Sequence, residues 1–186
     1  QAKLYADCLE KEFDRRPVIY YSNGYEHWFW DDTNYPSRPV QGFHSKDELE
    51  LMMQRRTSRT SLASAKINNE IVERSYQHEA IRKVTEAFEE NNERRSLLVM
   101  ATGSGKTRVT IALVELLMKS NWVKRVLFLA DRVSLVKQST KEFGKHLQDV
   151  QIVNLLKNPD ANGRIYVSTY QTILNQINRL ENNQRK

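Results

Sequence analysis

The residues best placed to do chemistry stand together at Leu97-Leu98-Val99-Met100-Ala101-Thr102-Gly103-Ser104-Gly105-Lys106-Thr107, a short apolar run entering a glycine loop that ends in Gly-Lys-Thr. Such a loop grips a nucleoside triphosphate by its phosphates. Around Thr102 and Ser104, Gly103 and Gly105 free the backbone to turn N–H groups onto phosphate oxygens. Lys106 reaches the β and γ phosphates, and the Thr107 hydroxyl can ligate Mg2+ where a helix begins. The general pattern G-x-x-x-x-G-K-[ST] asks for glycine where this chain has Met100, so the reading rests on strand, loop and helix following in order. A glycine turn that merely opens an amphipathic helix is the plainer alternative.

Further along, polar residues follow apolar runs in the same manner. Tyr76-Gln77 opens a helix upstream of the loop. A glutamine amide both donates and accepts, so Gln77 could read the adenine edge and select ATP, with Tyr76 or Arg74 covering the base. Val126-Leu127-Phe128-Leu129-Ala130 breaks into Asp131-Arg132 and a Ser134-capped helix, and such a strand end is where an open α/β sheet presents its ligand contacts. Arg132, Ser134, Lys137 and Gln138 are of the types that bond nucleic-acid phosphates without reading sequence. Ile165-Tyr166-Val167-Ser168 then leads into Thr169, Tyr170 and Gln171, a second backbone-contact point of the same design.

Patterning supplies the elements that would position these groups. A helix is expected from Gln1 to Phe13. Pro17–Ser22 and Tyr25–Asp31 flank Asn23-Gly24, suited to a hairpin with a two-residue type I′ turn. After a proline-rich aromatic stretch over Tyr35–Phe43, Ser45 and Glu48 form a capping box for a helix to about Gln54. Residues 55–74, rich in Arg, Ser and Thr, read as a surface-running connector. Beyond it a helix Gln77–Asn91, a strand Ser96–Met100 and a helix Thr107–Lys119 are expected. They are followed by a strand Arg125–Leu129, a helix Ser134–His146, strands Gln151–Leu155 and Arg164–Ser168, and a helix from Tyr170. Alternation of this kind predicts a mostly parallel sheet with helices on both faces. The polar ending Glu181–Lys186 reads as a surface loop.

Composition narrows the class. The 186 residues carry 29 Lys and Arg against 23 Asp and Glu, a formal charge of +6 that favours polyanion binding. A single cysteine, Cys8, excludes an intramolecular disulfide and a thiolate zinc cluster, which fits a reducing, cytoplasmic setting. No apolar run approaches the roughly 18 to 20 residues that span a bilayer, so no membrane partner is expected.

Arg74-Ser75-Tyr76-Gln77, Met100–Thr107, Leu127–Arg132 and Val167–Thr172 together resemble the adenine motif and motifs I, Ia and Ib of superfamily 2 helicases, in which the first loop glycine is often replaced. More narrowly, the chain resembles the restriction (R) subunit of type I restriction-modification enzymes. Gln1-Ala2-Lys3-Leu4-Tyr5 matches the Gln-x-x-x-Tyr signature that follows the nuclease catalytic residues there. The resemblance implies a RecA-like first motor domain, incomplete, over residues 75–186, a connector over 55–74, and the α+β C-terminal part of a nuclease domain with its hairpin over 1–54. It implies an ATP- and Mg2+-using translocase on double-stranded DNA fused to an endonuclease that cuts unmodified DNA beside methylation (M) and specificity (S) subunits. Gln1 and Tyr5 would then be nuclease accessories, and Arg132, Ser134, Gln138, Thr169 and Gln171 would touch DNA. The family's nuclease carboxylates, Asp-Glu-x-His box and second motor domain are not in this sequence, so a piece of a longer polypeptide is expected, one that holds ATP without hydrolysing it. Another superfamily 2 motor, such as a repair helicase, and a nucleotide-gated DNA-binding module are the alternatives.

Overall fold

The computed structural model describes residues 1–33, 35–177, 180–181 and 184–185. Two compact units divide the chain, one of Gln1–Ser58 with Arg82–Leu98, the other of Arg59–Ile81 with the chain from Val99 onward.

In the first unit α1 (Ala2–Phe13) ends at Asp14 in the left-handed conformation. The hairpin follows as β1 (Ile19–Ser22) and β2 (His27–Trp30), extended by β3 (Arg38–Val40) into an antiparallel sheet in the order β1-β2-β3. The turn sits one residue later than the sequence suggests. Asn23 N bonds Glu26 O at 3.3 Å, so Gly24 and Tyr25 are the central pair and only Gly24, at φ +93°, takes positive φ. Asn23 instead uses its side chain, whose Oδ1 accepts from the Tyr25 and Glu26 amides at 3.0 and 2.8 Å. Glycine at the first central position suits a type II′ turn rather than type I′. The strand β3, missed in the sequence because Pro39 interrupts it, lies at the sheet edge where a missing N–H is tolerated. The capping box forms as expected, with Ser45 N donating to Glu48 Oε2 at 2.7 Å and Glu48 N to Ser45 Oγ at 3.3 Å. The helix it starts, α2 (Lys46–Ser58), runs past Gln54, because Arg56 is anchored at its far end.

Two guanidiniums organise this unit. Arg16 donates from Nη1 to Asp7 and, at 2.8 Å, to Glu10, and from Nε and Nη2 to Asp32, the Nε bond being 3.0 Å. Arg56 holds Asp31 through Nε at 3.1 Å and Nη2 at 2.7 Å, and donates from Nη1 to the Arg16 carbonyl. Helix, hairpin and α2 are thereby tied by planar forks that a lysine could not reproduce.

In the second unit α4 (Lys106–Lys119), β4 (Val126–Ala130), α5 (Val133–His146), β5 (Ile152–Asn154), β6 (Ile165–Thr169) and α6 (Tyr170–Ile177) build a parallel sheet in the order β4-β6-β5. The register sets Phe128 beside Val167 and Ala130 beside Thr169. On that face α5 packs Val136 and Phe143, both fully buried, and Phe143 meets Phe128 edge to face at 5.5 Å. The opposite face is covered less completely than alternation predicts, for Ser168 is buried while Leu127 is 49% exposed. The expected strand Ser96–Met100 makes no ladder among the described residues, and its Leu97 and Val99 are 87% and 86% exposed. A strand exists only where a neighbour accepts its amides, and β4, β5 and β6 pair among themselves. Helix α5 begins at Val133 with Arg132 as N-cap, so Ser134 is its second residue rather than its cap.

The stretch after α2 is packed rather than surface-running. Leu62, Ile71 and Val72 are fully buried, Thr60 N bonds Ser120 O at 3.1 Å, the Trp122 indole donates to Thr60 O at 2.9 Å, and Asn68 Nδ2 donates to Glu115 at 3.1 Å. From there α3 (Ser75–Glu89) buries Gln77, Ile81, Val84 and Thr85, one stripe at helical spacing. At the far end the backbone of Leu180–Glu181 (β7) pairs with Gln184–Arg185 (β8), where a loop is expected from sequence; Asn182, Asn183 and Lys186 lie outside the described residues.

The Arg16 fork holds the Asp32 carboxyl below its usual range, against the opposing effect of burial. A carboxyl whose folded pKa is depressed contributes stability that is complete above the unfolded value, near 3.8, and lost as pH falls through the lower folded one. Thermal melts between pH 7 and pH 2 should therefore show a fall below about pH 4 that is shallower in Asp32→Asn, a variant already less stable at pH 7; an identical acid profile would remove Asp32 from the account.

Candidate nucleotide-binding site

Helix α4 starts without any side-chain cap. Its N-cap is Gly105, at φ +87° and ψ 31°, and no side chain bonds the first turn. Gly103 is also left-handed, at φ +79°. An L side chain in that region costs about 1–2 kcal/mol, which accounts for both glycines. The first amide of the turn region with an intrahelical partner is Val109 N, bonded to Gly105 O at 3.0 Å. The amides of Lys106, Thr107 and Arg108 therefore point outward with no helical acceptor, at the positive end of the helix dipole.

The rest of the loop is shaped by its own backbone. Ser104 N and Oγ both donate to Ala101 O, at 3.3 and 2.7 Å. Lys106 folds its Nζ back onto Met100 O at 3.2 Å and Ala101 O at 3.1 Å. Among the described residues no carboxylate pairs with it, so its charge is available to an anion. Met100 takes part through its carbonyl, which any residue supplies. The half-buried Thr107 stands one residue into the helix, and Thr102 is exposed at the loop crown.

A second layer clasps the loop from α3. Gln77, only 5% exposed, accepts the Glu73 and Arg74 amides on Oε1, both at 3.3 Å, and donates from Nε2 to Ser104 O at 2.9 Å. The Tyr76 hydroxyl donates to the same carbonyl at 3.0 Å and accepts from Arg74 Nη1 at 2.8 Å; this phenol contact makes Arg74 hold its proton more tightly. Both acceptor sites of the Gln77 amide are thus occupied, and one of its two donors faces the loop. The clasp on Ser104 O has no signature in the sequence, since a carbonyl contact is blind to residue type.

The remaining residues singled out from sequence fall in two places. Arg132, Ser134 and Gln138 are all exposed at the start of α5, with Arg132 Nε 3.7 Å from Asp131. The pairing of Ala130 with Thr169 brings this edge beside the start of α6, where Gln171 is exposed. Thr169 is only 5% exposed, and its Oγ1 accepts Thr172 N at 3.3 Å as the helix cap. Gln1 and Tyr5 lie in the other unit, joined by the bond from Tyr5 N to Gln1 O at 3.1 Å, with Tyr5 70% exposed.

Gly105 is the position where substitution tests this geometry. A Cβ there would stand 2.5 Å from Gln77 Nε2 in a left-handed backbone. Gly105→Ala should cost about 1–2 kcal/mol in denaturant unfolding and speed amide exchange from Ser104 to Arg108, because the Gln77 bond must yield; wild-type exchange in the variant would refute the clasp.

Residues 70–186 match the family described as "Type III restriction enzyme, res subunit". The endonuclease subunit of the type I restriction enzyme EcoKI from Escherichia coli K12 is 30% identical over 190 aligned residues, covering 90% of this chain and 16% of that protein. That of EcoAI, also from E. coli, is 52% identical over 66 residues, 36% of this chain and 8% of the relative. This chain therefore spans less than a fifth of either. A solved fragment assigned as the HsdR subunit of a type I restriction enzyme from Vibrio vulnificus YJ016 aligns over 94% of this chain and 33% of its own, at 24% identity and a TM-score of 0.45. The clasped glycine loop lies inside the matched segment, and the chain belongs to the superfamily 2 helicase-like family of restriction-enzyme R subunits.

Proposed function

We propose that this chain is the ATP-gripping part of a type I restriction R subunit, an ATP-dependent double-stranded DNA translocase and endonuclease that cuts unmodified DNA in the cytoplasm together with methylation and specificity subunits. The observation that carries the reading is the start of α4 behind left-handed Gly105, with no side-chain cap, where first-turn amides stand beside a lysine that has no carboxylate partner among the described residues. Gly103, Gly105 and the amides of Lys106 to Arg108 would receive phosphate oxygens, and Lys106 would exchange its carbonyl contacts for the β and γ phosphates. Thr107 would hold Mg2+, which neutralises charge on the phosphates. Tyr76 and Gln77 would set the loop and, through the remaining Nε2 hydrogen, approach the adenine.

We assign residues 1–54 to the C-terminal part of the nuclease domain, with Gln1 and Tyr5 as its accessories, 55–74 to the connector, and 75–186 to the first motor domain. The exposed edge formed by Arg132, Ser134, Gln138 and Gln171 would follow the DNA backbone, with Thr169 shaping it from beneath.

Two measurements test the reading. Lys106→Ala should weaken binding of a fluorescent ATP analogue with Mg2+ at least tenfold, and unchanged affinity would sink the assignment of the loop. Arg132→Ala should lower the salt slope of duplex DNA affinity by about one unit; the wild-type slope would mean that Arg132 is only surface.

A further inference from the structure

The first unit contains a cavity of about 480 Å³ lined by Arg38, Val40, Gln41, Phe43 and His44, with Glu48 on its wall. The strand register places Arg38 opposite Phe29, on the sheet face shared with Tyr20 and His27. Its guanidinium carbon lies 5.2 Å from the Phe29 ring centroid, and its Nε is shut off from solvent without an acceptor. Arg16 and Arg56, in the same unit, are each bound to carboxylates. Among the described residues no carboxylate pairs with Arg38.

The surroundings add positive charge instead of removing it. Arg94, stacked 4.7 Å over Tyr35, is near enough that its repulsion joins burial in loosening the Arg38 proton. The acid on the cavity wall, Glu48, is engaged by Ser45 N at 2.7 Å and Ser45 Oγ at 3.1 Å, so its charge serves the helix cap. At the mouth Phe43 is 68% exposed and leans on Tyr20 and His27 at 5.1 and 5.4 Å. The Tyr20 hydroxyl bonds His44 Nδ1 and, at 3.2 Å, accepts from the His44 amide, which fixes His44 in the lining.

A half-buried cation without a carboxylate partner destabilises the unit that carries it, unless an anion arrives. We propose that this cavity binds a backbone phosphate of DNA, with Arg38 as the cation and the Phe43 ring as the surface against which the adjoining sugar or base rests. Guanidiniums present the fork that phosphate oxygens match, and an exposed aromatic beside them is the pairing that backbone-following sites use. The assignment rests on the reading of the chain as a DNA-handling protein and adds a contact in the first unit, separate from the edge at Arg132.

The test is fluorescence anisotropy of the 186-residue chain with labelled duplex and single-stranded oligonucleotides over a range of salt, inorganic phosphate serving as competitor, alongside thermal melts. Arg38→Gln should weaken DNA binding several-fold and lower the salt slope by about one unit, with a melting temperature equal to or above wild type, and Arg38→Lys should recover part of the affinity. Phe43→Ala, at an exposed position of the cavity mouth, should weaken binding as well and serves if Arg38→Gln does not fold. Lower melting temperature with unchanged DNA affinity would make Arg38 a structural cation seated on Phe29 and overturn the site. Arg38-dependent binding of inorganic phosphate without an effect on DNA would make it a free-anion site, also against the proposal. If Arg132→Ala weakens binding while the Arg38 and Phe43 variants bind as wild type, this inference alone falls; if the wild-type chain binds no DNA, the DNA reading falls with it.

Discussion

The unmet amides at the start of α4 are the constraint around which the second unit is arranged. A helix whose first turn lacks acceptors is costly unless water or a ligand supplies them, and nothing in the loop attempts to cap it. Gly105 is left-handed, so its backbone turns away, and Ser104 is held by its own turn to Ala101 and by two donors from α3. The loop is kept open because α3 engages the Ser104 carbonyl and leaves the first-turn amides without an acceptor. Phe143 and Val136, buried between α5 and the sheet, supply the apolar support for the unit.

In the first unit the organising forces are of another kind. Small sheets with short strands bury little apolar area, and here guanidinium forks substitute for a large core. Arg16 gathers carboxylates from α1 and from the residues after β2, while Arg56 reaches back from α2 to Asp31 and to the Arg16 carbonyl. The arginines with carboxylate partners hold the unit together. Arg38 stands apart from that pattern, seated over an aromatic ring.

Much of this was legible in the residues and some was not. Val126–Ala130, Ile165–Thr169 and the helices beside them follow from apolar periodicity, and the Ser45–Glu48 box forms because both partners are local. The hairpin was readable but its turn was not, since Asn23 can supply either a positive φ or a side-chain acceptor, and only the strand register decides. Arg38-Pro39-Val40 escaped notice because a proline inside a strand is tolerated solely at an edge, and edges are a property of the sheet. Ser96–Met100 has every local mark of a strand and lacks a neighbour to pair with, a fact no window of sequence contains. Leu62, Ile71 and Val72 were submerged in a polar stretch whose average concealed isolated buried positions. At the candidate site the glycines and Lys106 are conspicuous by type, whereas the hold of Tyr76 and Gln77 on the Ser104 carbonyl runs through backbone and leaves no trace.

The Leu97-Leu98-Val99-Met100 run, with Leu97 and Val99 largely exposed, also bears on how the molecule behaves in company. It is apolar, uncharged and free of proline and glycine, and it joins no ladder among the described residues. Such a segment is a template for pairing with its counterpart on another molecule. A charged residue placed within the run lowers that tendency at little local expense, because no described ladder depends on it.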